Sequence, residues 1–258
     1  MTGLLLRLAA PLQSWGERSA FPTERDSAPF PTRSGLIGMF AAAAGLPRGA
    51  DLARYQALEF TVRIDRPGVP LTDFHTAGGG LPKDRTAATS GGDHKGDAVV
   101  TRRHYLADAV FTVAVAGPGP VTAGIATALQ RPHWAPYLGR RSCIPDEPLL
   151  LRARVADPVR ELVERVPLSP NPRLGKRDRE TIPVDFIWEN HPGQLPDSAV
   201  PLSLYDTPES FDQHRRTHTK RHLHRTTRQL PAHLAGDGST PVYQRLFAYM
   251  NTPEELSV

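Results

Sequence analysis

Leu4-Leu5-Leu6-Arg7-Leu8-Ala9-Ala10-Pro11, near the start of the chain, sets Leu4, Leu6 and Leu8 on one side of an extended backbone and Leu5 and Arg7 on the other. That period of two predicts a first β-strand with one buried face, and Pro11, which has no N–H to give to a sheet ladder, ends it. Ser34 to Ala44 reads as a helix: Thr32 or Ser34 can cap it, Gly45 can end it, and Gly35, Gly38 and Ala41 to Ala44 offer a small-residue surface for packing on a sheet. Phe60, Val62 and Ile64 alternate as a second strand, and Phe111, Val113 and Val115 as a third. Val121 to Gln130 reads as a second helix ending before Pro132, and Leu149 to Val155 supplies a fourth strand. The order β-α-β-β-α-β is that of the ferredoxin-like or RRM-like fold, of class α+β, whose open antiparallel sheet often binds RNA. Fold alone assigns no function.

Two regions depart from that minimum. Between the second and third strands, Phe74 to Val100 carries Gly78-Gly79-Gly80, Gly91-Gly92 and Gly96 among Lys83, Arg85, His94 and Lys95. It has few side chains to bury and is expected to project as a mobile arm. After Asp157 come a short amphipathic run from Arg160 to Val166, proline-punctuated polar sequence, a strand at Thr181 to Trp188 and a basic segment at 213–230. The expected division is therefore a sheet domain over 1–156 and a small, less regular C-terminal subdomain over 157–258.

A chain of 258 residues, 39% of them hydrophobic, supports one large or two modest domains with a real core. No apolar run reaches the roughly 18 residues of a membrane span, and the start lacks a charged stretch leading into an apolar one. A cytoplasmic location with no membrane partner is expected. The lone Cys143 allows neither an internal disulfide nor a multi-cysteine zinc site and reads as a packed small residue. The net charge of +4 is modest but local: residues 213–230 hold six Arg or Lys, four His and no acid. A polyanion is a fitting partner for such a distribution. The 26 prolines and 21 glycines indicate long irregular connections, suited to a subunit that grips neighbours with loops.

Tyr137-Leu138-Gly139-Arg140-Arg141-Ser142-Cys143 sets two guanidiniums beside a glycine, a ring and a hydroxyl. Arg forks match phosphate oxygens, Gly admits a close backbone and Tyr offers a stacking face, so the cluster suits a phosphodiester chain; the alternative is a turn paired with Asp146 and Glu147. Arg33 and Ser34 stand at a helix start, where free N–H groups make an anion site or a plain cap. His214, His218 and His222 recur every four residues, a spacing that on a helix can hold zinc, but the interleaved cations oppose a metal. Asp178, Glu180, Asp185 and Glu189 lack metal-binding spacing and read as a solvated face. Gly35-Leu36-Ile37-Gly38 lacks the lysine of a nucleotide loop. Trp15 suits either a stacking platform or the core, while Trp134 and Trp188 read as core. His75, His104, Tyr105 and Lys83 are residue types from which a metal-independent ribonuclease site is built. No cofactor or metal is expected.

Pro11-Leu12-Gln13-Ser14-Trp15-Gly16, Pro31-Thr32-Arg33-Ser34-Gly35-Leu36-Ile37-Gly38, Asp73-Phe74-His75-Thr76, Thr101-Arg102-Arg103-His104-Tyr105-Leu106-Ala107-Asp108-Ala109 and the Tyr137 to Cys143 stretch occur in that order over roughly residues 3 to 150. Together they resemble the CasD family of the RAMP superfamily, which holds the 5′ end of the guide RNA in the type I-E CRISPR surveillance complex, Cascade. The resemblance implies a thumb-like β-hairpin at about 74–100, packed over guide RNA and against a backbone subunit. It implies guide RNA, CasC backbone subunits, the large CasA subunit and, within the assembled complex, target DNA as partners. It also implies a non-catalytic role in antiviral defence, gripping the 5′ handle and capping the backbone filament. A sister branch cleaves precursor RNA, so a processing endoribonuclease is the alternative; in type I-E cleavage falls to a separate subunit, CasE. The RNA-binding residues expected on this basis are Arg33, Ser34, His75, Arg102, Arg103, Tyr105, Arg140 and Arg141. Further contacts are expected from Trp15, Lys83, Arg85, Lys95, Arg215, Arg216, Lys220 and Arg221.

Overall fold

The computed structural model describes residues 2–17, 23–86, 93–94, 96, 98–171, 180–211, 216–236 and 238–252. Its strands are β1 (Thr2–Ala9), β2 (Leu12–Gln13), β3 (Glu24–Arg25), β4 (Glu59–Arg66), β5 (Val69–Ala77), β6 (Val99–Ala107), β7 (Val110–Gly117), β8 (Leu150–Val155), β9 (Thr181–Trp188), β10 (Val200–Phe211) and β11 (Arg216–Pro231). The helices are α1 (Arg33–Ala43), α2 (Gly119–Gln130), α3 (Pro158–Glu164) and α4 (Val242–Asn251). None of the described helices is long and apolar enough to cross a membrane.

The four strands read from alternation are β1, β4, β7 and β8, and they lie in the order β4-β7-β1-β8 with every adjacent pair antiparallel. That is the ferredoxin-like arrangement, of class α+β, built because α1 and α2 must bury apolar faces on one side of the sheet. Thr32 caps α1, its side chain accepting from the Gly35 N–H at 3.3 Å, so of the two capping candidates Thr32 is used and Ser34 is not. Leu4, Leu6, Leu8, Phe111, Val113 and Val115 pack with Leu36, Phe40 and Ile125 in the core on that side.

The expectation of one buried face fails. Leu5 is as buried as its neighbours and Arg7 is only 4% exposed. On the second face Leu5, Leu151, Phe186 and Trp188 pack with Leu162 of α3, Leu168, and Leu246 and Tyr249 of α4. The open sheet expected as an RNA platform is therefore covered by the chain's own C-terminal residues. Arg63, fully buried on β4, holds that cover down: Nη1 donates to the Leu162 and Val166 carbonyls at 2.7 and 2.8 Å, Nη2 to the Pro167 carbonyl at 3.0 Å, and Nε to Asp65 at 2.7 Å. Its fork satisfies carbonyls at and just beyond the end of α3, which the helix leaves without partners.

Nor does the sheet divide at 156/157. β9, the strand expected at Thr181 to Trp188, pairs with β4, and β11 and β10 follow, extending the sheet to the seven-stranded order β10-β11-β9-β4-β7-β1-β8. The reason is backbone satisfaction, since an unpaired β4 edge leaves a row of N–H and C=O groups that β9 takes up.

The insertion is a hairpin of β5 and β6, longer than the 74–100 expected and paired from Val69↔Ala107 to Ala77↔Val99. Its base is tight: Gly68 adopts φ +74° where a Cβ would lie 2.7 Å from the Ala107 carbonyl oxygen, and Arg66 bonds Asp108 at 2.7 Å. On the outer edge of β6 sit β2, antiparallel, and β3, parallel, making a second, four-stranded sheet.

Candidate nucleic-acid interface

The Tyr137 to Cys143 stretch is a closed loop. Leu138 and Cys143 are buried as its feet, the Leu138 N–H donates to the Cys143 carbonyl at 2.8 Å, and the Cys143 N–H donates to the Arg140 carbonyl at 2.8 Å. Gly139, at φ +86°, lies so close to Ser14 that a Cβ would stand 1.6 Å from its carbonyl oxygen, a position only glycine can hold. The loop thus docks on the segment after β2, and the Ser14 N–H donates to the Leu138 carbonyl at 3.1 Å. Burial pushes the Cys143 thiol up, leaving it protonated and inert rather than nucleophilic.

This docking decides what the two arginines do. Arg140 donates from Nε to Ser14 Oγ at 2.9 Å and from Nη2 to the Arg25 carbonyl at 3.2 Å, and lies 4.7 Å over the Tyr105 ring. Its Nη1 is buried with no hydrogen-bond partner among the described residues. Arg141 is exposed. Neither forms an ion pair with Asp146 or Glu147 among the described residues, so the turn alternative fails.

Both arginines line a cleft of about 1210 Å³ between this loop, the length of α1 with the segment after it, and the β10–β11 ribbon. Its charged lining is Arg25, Arg48, Arg140 and Arg141 against Glu17 and Asp26; its aromatic lining includes Trp134, Tyr137, Tyr205 and Phe211. Cations and rings in one groove open to solvent are the residue types that fit a single-stranded polyanion carrying bases.

The remaining candidates separate sharply. Ser34 lines the cleft, but Arg33 does not. Arg33 is 6% exposed and spends its guanidinium on the carbonyls of Leu58, Tyr55 and Gln56 and on Glu189 at 2.8, 3.1, 2.9 and 2.9 Å. Its own N–H, at the start of α1, donates to Asp206 Oδ2 at 2.7 Å, so a side chain already fills the anion position expected there. Arg221 is drawn into the same cluster, bonding both oxygens of fully buried Asp206 and Glu189 Oε1. Burial works against its charge, yet the carboxylates outweigh that and hold its pKa above the usual value. Arg33 and Arg221 are thus internal staples and not contacts for a ligand. Glu189, read as solvated, is the acid they share, and Asp185 bonds Arg225 and Thr227.

Trp15 is 1% exposed, its Nε1 donating to Gln13 Oε1 at 3.0 Å, which removes it as a stacking platform. Trp188 is core as expected, whereas Trp134 is 48% exposed, contrary to expectation. From Arg216 onward the basic segment is a strand, β11, with Lys220 exposed. A four-residue recurrence keeps one face on a strand as it does on a helix, which is why His spacing alone could not decide. The described residues contain no group of three or more metal-ligating side chains. Arg215, Lys95, His214 and Asp178 lie outside the described residues, as does the side chain of Arg216.

On the thumb, Arg102 is exposed, Arg103 bonds Thr101 at 3.2 Å, and Lys83 and Arg85 stand in an exposed turn beyond the last strand pair. The candidate ribonuclease residues do not converge. Tyr105 is buried beneath Arg140; His104 meets Thr72 and Glu24 through its two ring nitrogens at 3.1 and 2.9 Å; His75 is three residues further along the hairpin, beside Asp73 at 3.4 Å. Three residues of strand are about 10 Å, too far for one acid–base pair.

Comparison with known proteins places this ferredoxin-like sheet with its hairpin insertion among CRISPR-associated proteins. The family described as CRISPR-associated protein (Cas_Cas5) matches residues 3–224. The chain belongs to this family, on its CasD side. It is 37% identical over 178 residues, 64% of this chain and 78% of the relative, to the CRISPR system Cascade subunit CasD of Escherichia coli (strain K12). Among solved structures, a chain of a CRISPR RNA-guided surveillance complex is 52% identical with a TM-score of 0.83, covering 97% of this chain and all of that one. A second, titled crystal structure of Cas protein, is 30% identical with a TM-score of 0.60 over 93% of this chain and all of that one.

Sequence reasoning missed Arg25, Arg48, Trp134, Tyr205 and Phe211 in the cleft. Arg48 and Trp134 carried a signal, since Arg48 comes directly after Pro47 and Trp134 two residues after Pro132, each just past a helix end, where side chains are seldom buried.

Proposed function

We propose that the chain is a non-catalytic RNA-binding subunit of a type I-E Cascade complex, which grips the 5′ handle of the guide RNA and caps the filament of CasC backbone subunits beside the large CasA subunit. The carrying observation is the cleft, whose lining brings Arg25, Arg48, Arg140 and Arg141 together with the half-exposed rings of Trp134 and Tyr205. Likeness to a CasD subunit and to a chain of an RNA-guided surveillance complex supports the same reading. The covered second face supports it too, because it leaves the cleft and the thumb, not the sheet, as the surfaces for RNA.

The thumb complements the cleft. Val69, Leu71 and Phe74 on the outer strand β5 are 54, 42 and 67% exposed, next to Arg102, and this mixed edge suits a protein neighbour with RNA beneath. The test is titration of processed guide RNA into the purified protein at several salt concentrations. Affinity should fall steeply with salt, because each phosphate contact releases counterions. Affinity that does not change with salt would reduce the chain to a protein scaffold. Incubation with labelled precursor RNA in the absence of metal should leave the RNA intact; specific cleavage would establish the endoribonuclease reading.

A further inference from the structure

Trp134 has an unusual setting for a tryptophan. Trp15 and Trp188 are 1 and 0% exposed, but Trp134 is 48% exposed and lines the cleft. Its ring has an anchored neighbour. The His133 ring meets Trp134 edge to face at 4.5 Å and 81°, and the His133 N–H donates to the Ala43 carbonyl at the end of α1 at 2.8 Å. Gly45, at φ +72°, leaves room for that imidazole, since a Cβ there would stand 3.0 Å from the His133 ring. Pro132 and Pro136 restrict the backbone on either side. A ring beside an anchored neighbour, on a backbone restricted by two prolines, has less freedom still to lose on binding, which favours a stacking role.

We propose that Trp134 is a stacking platform for one unpaired base of the bound RNA, an inference that rests on the RNA-binding reading of the cleft. The charge around it selects the occupant: exposed Arg48 and Arg141 line the same cleft, so a strand whose phosphates meet the guanidiniums brings its bases to the indole face. A purely apolar partner would leave those cations without acceptors.

The protein reports on this site by itself, because of its three tryptophans only Trp134 is solvent-accessible. In the full chain, saturating processed guide RNA should quench the long-wavelength part of the tryptophan emission and shield it from acrylamide. Trp134→Ala should weaken RNA binding by about 5- to 100-fold with the salt slope unchanged, because a stacking contact releases no counterions. Trp134→Phe should stay within about threefold of the parent, as a ring remains for stacking. Full acrylamide access in the RNA-saturated protein, or wild-type affinity in Trp134→Ala, would remove the platform while leaving RNA binding intact. Shielding by purified large subunit in place of RNA would assign the indole to a protein interface and overturn the proposal. A wild-type chain that binds no RNA even at low salt would bring down the RNA-binding reading and the platform together.

Discussion

Arg33 and Arg221 lie behind the wall of the cleft, and Arg140 and Arg141 on its rim; all four carry the same guanidinium, yet they do different work. Behind the wall, two arginines meet two carboxylates and three backbone carbonyls in a buried chain joining α1, β9, β10 and β11. On the rim, Arg140 is half spent on Ser14 and the Arg25 carbonyl, and Arg141 is exposed. The contrast teaches that an arginine's role follows from how many acceptors the fold has already brought to it, and two adjacent positions can differ.

Breaking the buried chain should have the largest effect. Asp206→Ala leaves Arg221 underpaired and the α1 N-terminus without its acceptor, and should lower unfolding free energy by about 3 to 5 kcal/mol in chemical denaturation. An unchanged midpoint would show that the cluster is not structural. Gly139→Ala comes next, with an expected cost of about 2 kcal/mol or more, because both the positive φ and the contact with Ser14 are incompatible with a Cβ. Loss of RNA affinity should accompany it as the loop lifts; a stable variant with full affinity would separate the loop from the site.

Arg141→Ala sharpens the comparison from the other side. It should leave thermal stability within about 0.5 kcal/mol of the parent, weaken guide RNA binding about tenfold, and reduce the slope of log affinity against log salt by about 1. Equal destabilisation of Arg141→Ala and Asp206→Ala would erase the distinction. The smallest effect on folding is expected at the thumb tip, where 78–98 replaced by a short Gly-Ser turn should shift unfolding by less than about 0.5 kcal/mol. Thr86, the one buried residue described there, is held within the tip by Lys83, His94 and Gly96. Co-purification with guide RNA and backbone subunits should fall nonetheless; complete assembly would argue against an assembly role for the thumb.

Much of the fold was legible because alternation and helix caps are local. β9 begins and ends where its apolar pattern does, and β1, β4, β7, β8, α1 and α2 stand within a few residues of their expected places. Arg33 misled because its position at a helix start is local information, whereas its acceptors come from residues 55–58 and from Glu189, 156 positions away. Trp134 misled because tryptophan is most often packed, whereas here the ring stands 48% exposed beside the cleft.

By itself, the sequence determined the strand and helix order, the insertion between β4 and β7, the local concentration of basic charge and the family likeness of the loop around Gly139. Those properties reside in runs of neighbouring residues, where periodicity, caps and φ preferences act. Only the tertiary structure decided that the second face of the sheet is closed, that Arg33 and Arg221 are consumed inside, and that Arg48, Trp134 and Arg141 share one cleft. Burial and hydrogen-bond satisfaction depend on which distant segments arrive at a residue, and no local pattern carries that.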